Sequence, residues 1–387
     1  MKLPIYMDYH ATTPVDPRVL DLMLPYFTRE YGNASSSDHP YGATAREAVE
    51  EARGHVANLI KGRPEEIVFT SGATESDNLA IIGLAMAMKQ KGNHIITCTT
   101  EHRAVLDTCR YLEELGWSVT YLDVDKFGVI SLDELRQAIT KETVLISIMF
   151  ANNEIGTISP VSEIGKIARE NGILFHTDAA QAAGHVVIDV NAMNIDLMSM
   201  SAHKVNGPKG VGALYIRRQS PRVKPTPIIH GGGHEKNLRS GTLNVPGIVG
   251  IGAALEIAEK EMVAEEHRFS SWTNKMKSIF EFEIGDCAEN GHPEKKLPHN
   301  LNMYFKGVES KALVQSLQTE VAISGGSACT SDQVEPSHVI TALGHPAARA
   351  HSSVRFGVGR FNTDEEIDHV TQSVITSTHR LRSIGTI

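Results

Sequence analysis

From Glu66 onward, short apolar runs alternate with stretches whose apolar residues recur at helical spacing, the pattern of strand and helix units that build a mainly parallel sheet. The runs predict strands at Ile67–Thr70, Ile95–Thr99, Ser118–Leu122, Val144–Phe150, Ile173–Thr177, Leu197–Met200 and Gly212–Ile216. Upstream, Ala45, Ala48, Val49, Ala52 and Val56 share one face of a helix over Ala43–Ile60, whereas Met1–Pro17 and Asn33–Tyr41 read as loop. Ser131 with Glu134 three residues later is a capping box, and Pro160 sits in the first turn of a helix ending near Gly172. After Gly231-Gly232-Gly233 and Pro246 the alternation stops. Ile251, Ala254, Leu255, Ala258 and Met262 predict one long helix over Gly247–Ile284, followed by strands at Asn300–Phe305 and Val354–Gly357 and helices at Ser310–Leu317 and Asp364–Leu381. The expected class is α/β, a mainly parallel seven-stranded sheet flanked by helices, with a smaller α+β domain beyond a boundary near residue 260.

A chain of 387 residues exceeds what one hydrophobic core usually serves, which agrees with two domains. Lys plus Arg number 37 against 46 Asp plus Glu, and the net charge of −9 speaks against a nucleic-acid or anionic-membrane partner. Cys98, Cys109, Cys287 and Cys329 show no Cys-x-x-Cys spacing, so neither a structural metal site nor a disulfide framework is expected, and a reducing cytoplasm is the simplest compartment. The start has no signal-like segment, and the longest apolar run, Leu79–Met88, is too short to cross a bilayer.

Chemistry concentrates in three places. Ser201 to Gly212 follows an apolar run and carries Lys204 among small residues; a lysine held there can act as a nucleophile toward an aldehyde, although a lone lysine before a Gly-Pro turn is more commonly a surface group. Ser71-Gly72-Ala73-Thr74-Glu75-Ser76-Asp77 joins a strand to a helix. Ala73 and Thr74 could hold a phosphate there, or Thr74 and Asp77 could simply cap the helix. Asp178 follows one strand and Lys204 the next, so parallel strands would place both at one sheet edge, where a carboxylate can keep a pyridine nitrogen protonated while the lysine holds the aldehyde carbon of the same cofactor. Cys329 lies in a glycine- and serine-rich loop with Asp332 and Glu335 near it and no Lys or Arg, so its thiol is expected to keep an ordinary pKa of roughly 8.5.

These motifs, with Asp8 to Pro14, Thr100-Glu101-His102, Asn152 to Gly156, Arg239-Ser240-Gly241-Thr242, Ser327 to Ser331 and Arg355-Phe356, closely resemble the cysteine desulfurases of the IscS/NifS type, which are fold-type I pyridoxal phosphate enzymes. The resemblance covers nearly the whole chain. It implies a large cofactor-binding domain over residues 16–260 and a small domain from residues 1–15 and 261–387 that carries the cysteine loop. It implies that Lys204 binds pyridoxal 5'-phosphate as a Schiff base, that Asp178 pairs with its ring nitrogen, that His102 stacks on the ring and that Gln181 bonds the ring hydroxyl. Ala73, Thr74, Ser201 and His203 would hold the phosphate, with Thr242 reaching over from the second subunit of a homodimer. Asn153 and Arg355 would bind the carboxylate of L-cysteine, and Cys329 would take the sulfur as a persulfide for an acceptor protein, such as an iron–sulfur scaffold, leaving L-alanine.

Val205-Asn206 and Gly325 depart from that pattern, where an aromatic or bulky apolar residue and a serine are commoner. The chain also stops at Ile387 without the C-terminal extension of IscS-type members, so sulfur delivery is expected to use another surface. The rival readings are another fold-type I enzyme, such as a selenocysteine lyase or aminotransferase, and a catalytically silent relative. Cys329 argues against the first, and Lys204 together with Cys329 against the second.

Overall fold

The computed structural model describes residues 2–325 and 336–384, so Cys329 and its immediate neighbours lie outside the described residues. The strands in chain order are β1 (Ile5–Tyr6), β2 (Ile67–Thr70), β3 (His94–Cys98), β4 (Ser118–Leu122), β5 (Thr143–Ser147), β6 (Leu174–Asp178), β7 (Leu197–Ser201), β8 (Gly212–Ile216), β9 (Cys287–Glu289), β10 (Asn300–Phe305), β11 (Val321–Ala322) and β12 (Ser353–Gly357). Seven of them form one sheet in the order β2-β8-β7-β6-β5-β3-β4. It is parallel from β7 to β4, and β8 runs antiparallel to both β2 and β7.

Period-two alternation explains why helices cover both faces of this sheet. Phe69, Ile96, Ile146, Phe175 and Met198 point into one apolar cluster, and their chain neighbours Val68, Ile95, Leu145, Leu174 and Leu197 into another on the opposite face. The helix Pro40–Leu59, started by His39 and Pro40, buries Ala45, Val49, Ala52 and Val56 in the first cluster, as its pattern predicts. Gly252 lets the long helix Val245–Glu283 approach it closely, since a Cβ there would lie 2.6 Å from Ala52 Cα.

That long helix spans two cores. Ile248, Ile251, Ala254 and Ala258 pack on the large sheet, while Phe269, Trp272, Met276 and Phe280 join a separate cluster with β1, β10, β12 and the final helix Asp364–Ile384. Between the halves, Arg360 binds Glu265 at 2.7 Å and Asp16 at 3.0 Å. The small sheet is β12-β10-β9, antiparallel, and β1 pairs in parallel with β11. Pro160 is the N-cap of its helix rather than a first-turn residue, and Ser131 caps the preceding helix by accepting the Glu134 N–H. Among the described residues no helix is long and apolar enough to cross a membrane.

Candidate active site

A cavity of about 520 Å³ opens at the ends of β2, β6 and β7, roofed by the loop His10 to Thr12 and closed on the far side by Arg355 of β12. Ala73, Thr74, His102, Asn153, Asp178, Gln181, Ser201, His203, Lys204 and Arg355 all line it. Of the other expected residues, Thr242 is not among the lining and lies exposed just before the long helix, and Cys329 lies outside the described residues.

One end of the cavity suits an anion. The helix Ala73–Met88 starts at Gly72, which adopts φ +155° and supplies no capping side chain, so the helix positive end is not satisfied by a cap. Gly212 permits this turn, because a Cβ there would fall 2.6 Å from Gly72 Cα. Ser201 ends β7 against the same turn, and Glu75 pins it by accepting the Ser71 N–H at 2.8 Å and Arg239 Nε at 2.8 Å. The cap expected from Thr74 and Asp77 is not formed: Thr74 is inside the first turn, and Asp77 is fully buried with Oδ1 3.5 Å from His176 Nε2 of β6. Burial, Lys204 and Lys209 push His203 down to about 4, so its ring is neutral at physiological pH.

At the other end, β6 and β7 run parallel with Asp178 opposite Ser199, and Lys204 lies in the 3₁₀ turn Ala202–Lys204 just past β7. Asp178 is the last residue of its strand rather than the first after it. Lys204 Nζ donates to the carbonyls of His10 and Ala11, the latter at 2.8 Å. Burial raises Asp178 above the ordinary carboxylate range, opposed by His102, the Ala180 N–H and Lys204. A cation facing this carboxylate would keep it ionised. His102 caps the helix Arg103–Glu114 by accepting the Ala104 N–H on Nδ1 at 3.1 Å. Gln181 is held by two bonds to His10.

Arg355 is 1% exposed and donates to Asn153 O at 2.7 Å and to Asp8 Oδ1 at 2.8 Å. Its Nε is buried with no acceptor among the described residues, and the side chain is part of the cavity lining. Val205 is buried in the large core, and Asn206 takes φ +61°, a conformation asparagine tolerates, while its Nδ2 holds Pro14 O at 3.0 Å. Asn206 therefore braces the N-terminal loop that meets Lys204, while Val205 packs in the core.

The donor set fits pyridoxal phosphate: an uncapped helix start with Ser201 and His203 for the phosphate, a buried carboxylate for the ring nitrogen, an amine, and a guanidinium in the lining for a substrate carboxylate.

A residue that sequence reasoning missed lies behind the cavity. Glu101 is fully buried, accepts the Met149 N–H at 2.7 Å and the Cys98 thiol at 3.2 Å, and is pushed up to about 8, chiefly by burial and also by Asp178. Its polarity gave no sign of burial; its place beside His102 was the only available signal. Because the folded pKa exceeds the unfolded value of 4.5, the folded state holds the extra proton between these values. Stability from this group is complete below about 4.5 and is lost as pH rises toward about 8. Glu101→Gln is therefore expected to flatten the fall in stability between about pH 5 and about pH 8, by an amount of order a few kcal/mol, as read from urea midpoints. An unchanged pH slope would contradict an ionisable Glu101 in this range.

The class-V aminotransferase family description matches residues 5–370. Over 385 residues the chain is 52% identical to cysteine desulfurase IscS of Anaeromyxobacter dehalogenans (strain 2CP-C), covering 100% of this chain and 95% of that one. It is 50% identical over 383 residues to cysteine desulfurase IscS of Rickettsia bellii (strain OSU 85-389), covering 99% and 93%. Among solved structures it is similar to a NifS-like protein, with TM-score 0.90 and 36% identity over 97% of this chain and 99% of that one. It is also similar to SspA in complex with cysteine, with TM-score 0.81 and 39% identity over 93% and 100%. The overall fold is thus shared with these solved structures, and the chain belongs to the class-V aminotransferase family.

Proposed function

We propose that this protein is a pyridoxal-phosphate-dependent cysteine desulfurase that converts L-cysteine to L-alanine and retains the sulfur on Cys329. The observation that carries the reading is the placement of Lys204 and Asp178 at adjacent ends of parallel strands, in one cavity with an uncapped helix start and Arg355. When bound, the cofactor supplies an electron sink for the bond changes at the substrate Cα. Lys204 Nζ anchors it and moves the Cα proton. Asp178 would pair with the ring nitrogen, and His102 would stack on the ring. Ala73, Thr74, Ser201 and His203 hold the phosphate, and Arg355 with Asn153 binds the substrate carboxylate in the forked geometry of a guanidinium. Cys329 Sγ, as thiolate, attacks the cysteine sulfur; the new S–S bond forms as the C–S bond breaks, leaving a persulfide on the enzyme and alanine as the other product.

The exposed position of Thr242 supports its service to the cavity of a second copy in a homodimer. We take residues 16–260 as the large unit and residues 1–15 with 261–387 as the small one, in keeping with the two cores along the long helix. The sulfur acceptor is a protein such as an iron–sulfur scaffold, and the scattered cysteines suit the cytoplasm. The purified, cofactor-loaded protein is expected to release alanine and transferable sulfur from L-cysteine in equal amounts. Release of pyruvate, or an amino-group exchange without sulfur release, would sink this reading.

A further inference from the structure

Three imidazoles lie beside one another, His10 and His299 buried and His185 half-buried, with ring centroids 4.4 Å apart for His10 and His299 and 4.1 Å for His185 and His299, and His10 lines the cavity. His10 is also wired into a line of hydrogen bonds whose polarity can be read from its two ends.

At one end, Asn300 Nδ2 lies 3.2 Å from the carbonyl oxygen of Glu154, which can only accept, so the amide nitrogen of Asn300 faces this side. The same nitrogen lies 3.1 Å from His10 Nε2. An amide nitrogen donates and does not accept, so His10 Nε2 is the acceptor and the proton of the neutral ring is on Nδ1. Nδ1 then donates to Gln181 Oε1 at 2.9 Å. At the other end, Gln181 Nε2 donates to the His10 carbonyl at 3.0 Å, which agrees with the same orientation of the amide. The second hydrogen on Nε2 has no protein acceptor among the described residues, and Gln181 lines the cavity.

A reversed Gln181 would set its oxygen against the His10 carbonyl and its N–H₂ against a ring N–H, losing both bonds. The ring stays neutral because burial, Arg355, His185 and Lys204 all oppose a positive charge, with only the Gln181 bond favouring it. His299 and His185, stacked beyond it, are likewise held neutral by burial.

We propose that His10, oriented by Asn300, is a positioning residue that fixes the Gln181 amide with its N–H toward the ring oxygen of the bound cofactor. The inference rests on the cofactor placement proposed above. It assigns to a residue of the N-terminal loop a role exerted through the Gln181 side chain. A donor at the ring oxygen stabilises negative charge there, so its loss makes the loaded site retain its proton to higher pH.

The test is the pH midpoint of the visible absorption band of the loaded full-length protein. His10→Phe keeps a ring on His299 and the backbone carbonyl that Lys204 and Gln181 use, but removes both nitrogens. Its midpoint is expected to rise by about one unit, the size of one hydrogen bond to a charged group. Gln181→Leu is expected to give a similar rise, and the double variant no further one. His10→Asn, whose Nδ2 can stand where Nδ1 stood, is expected to restore the parent midpoint. An unshifted His10→Phe, additive shifts in the double variant, or a His10→Asn as shifted as His10→Phe would overturn the proposal. Nitrogen-15 spectra of the loaded parent protein provide a readout that needs no variant to fold: a protonated Nδ1 and bare Nε2 at His10 support it, and the reverse overturns it. A parent protein with no visible band would instead defeat the cofactor reading, so the two failures are distinguishable.

Discussion

Replacing Lys204 by alanine is expected to lower alanine release from cysteine by at least about 10³-fold, because one side chain serves both as cofactor anchor and as the base at Cα. No neighbour can substitute. Lys209 also lines the cavity, but it is exposed beyond the Gly207-Pro208 turn, whereas Lys204 Nζ is held at the His10 and Ala11 carbonyls on the Asp178 side. Asp178, the helix start at Ala73 and Ser201 do not depend on the Lys204 side chain for their positions, so the variant is expected to fold and to retain some cofactor non-covalently. Steady-state alanine release together with the bound-cofactor content of the purified variant checks this. A normal rate would remove Lys204 from the mechanism.

The second large effect is expected at Cys329. Cys329→Ser removes the only group assigned to accept sulfur, and a hydroxyl cannot form a persulfide, so sulfur capture is expected to disappear and turnover to fall by about 10²-fold or more. The absorption of the bound cofactor is expected to survive, since Lys204, Asp178 and the helix start at Ala73 are positioned by other segments of the chain. Sulfur-labelled cysteine, followed by peptide analysis, measures capture directly. Label still attached to the serine variant in parent amounts would assign the acceptor role to another thiol. Among the other cysteines, Cys98 and Cys109 are buried with thiols pushed up by burial, and both are poor nucleophiles.

Much of this architecture is legible in the residue pattern because the large sheet is covered on both faces. Its strands are therefore continuous apolar runs, and three of the seven, Ile67–Thr70, Ser118–Leu122 and Gly212–Ile216, begin and end where the pattern places them. The errors fall where polarity and burial part company. Asp178 reads as a loop residue after its strand because it is charged, yet it closes β6 in the interior. Asp77 reads as a helix cap, yet it packs beside His176, about a hundred residues away in sequence, a pairing no local pattern can reveal. The two-residue strands β1 and β11 are too short to give a periodic signal, and each exists only because the other completes it. The cavity residues show in the sequence through motif resemblance more than through periodicity. The His10, Asn300 and Gln181 line leaves no sequence signal, since its members come from three distant segments and its meaning lies in which atoms donate.

The central claim, that Lys204 is the residue that binds pyridoxal phosphate in this cavity, is tested most directly by borohydride reduction of the loaded protein followed by mass mapping of its peptides. The expected result is a cofactor-derived mass on the peptide containing Lys204 and on no other. The same mass on Lys209 or another lysine, or its absence from every peptide of a protein that still desulfurates cysteine, would contradict the account.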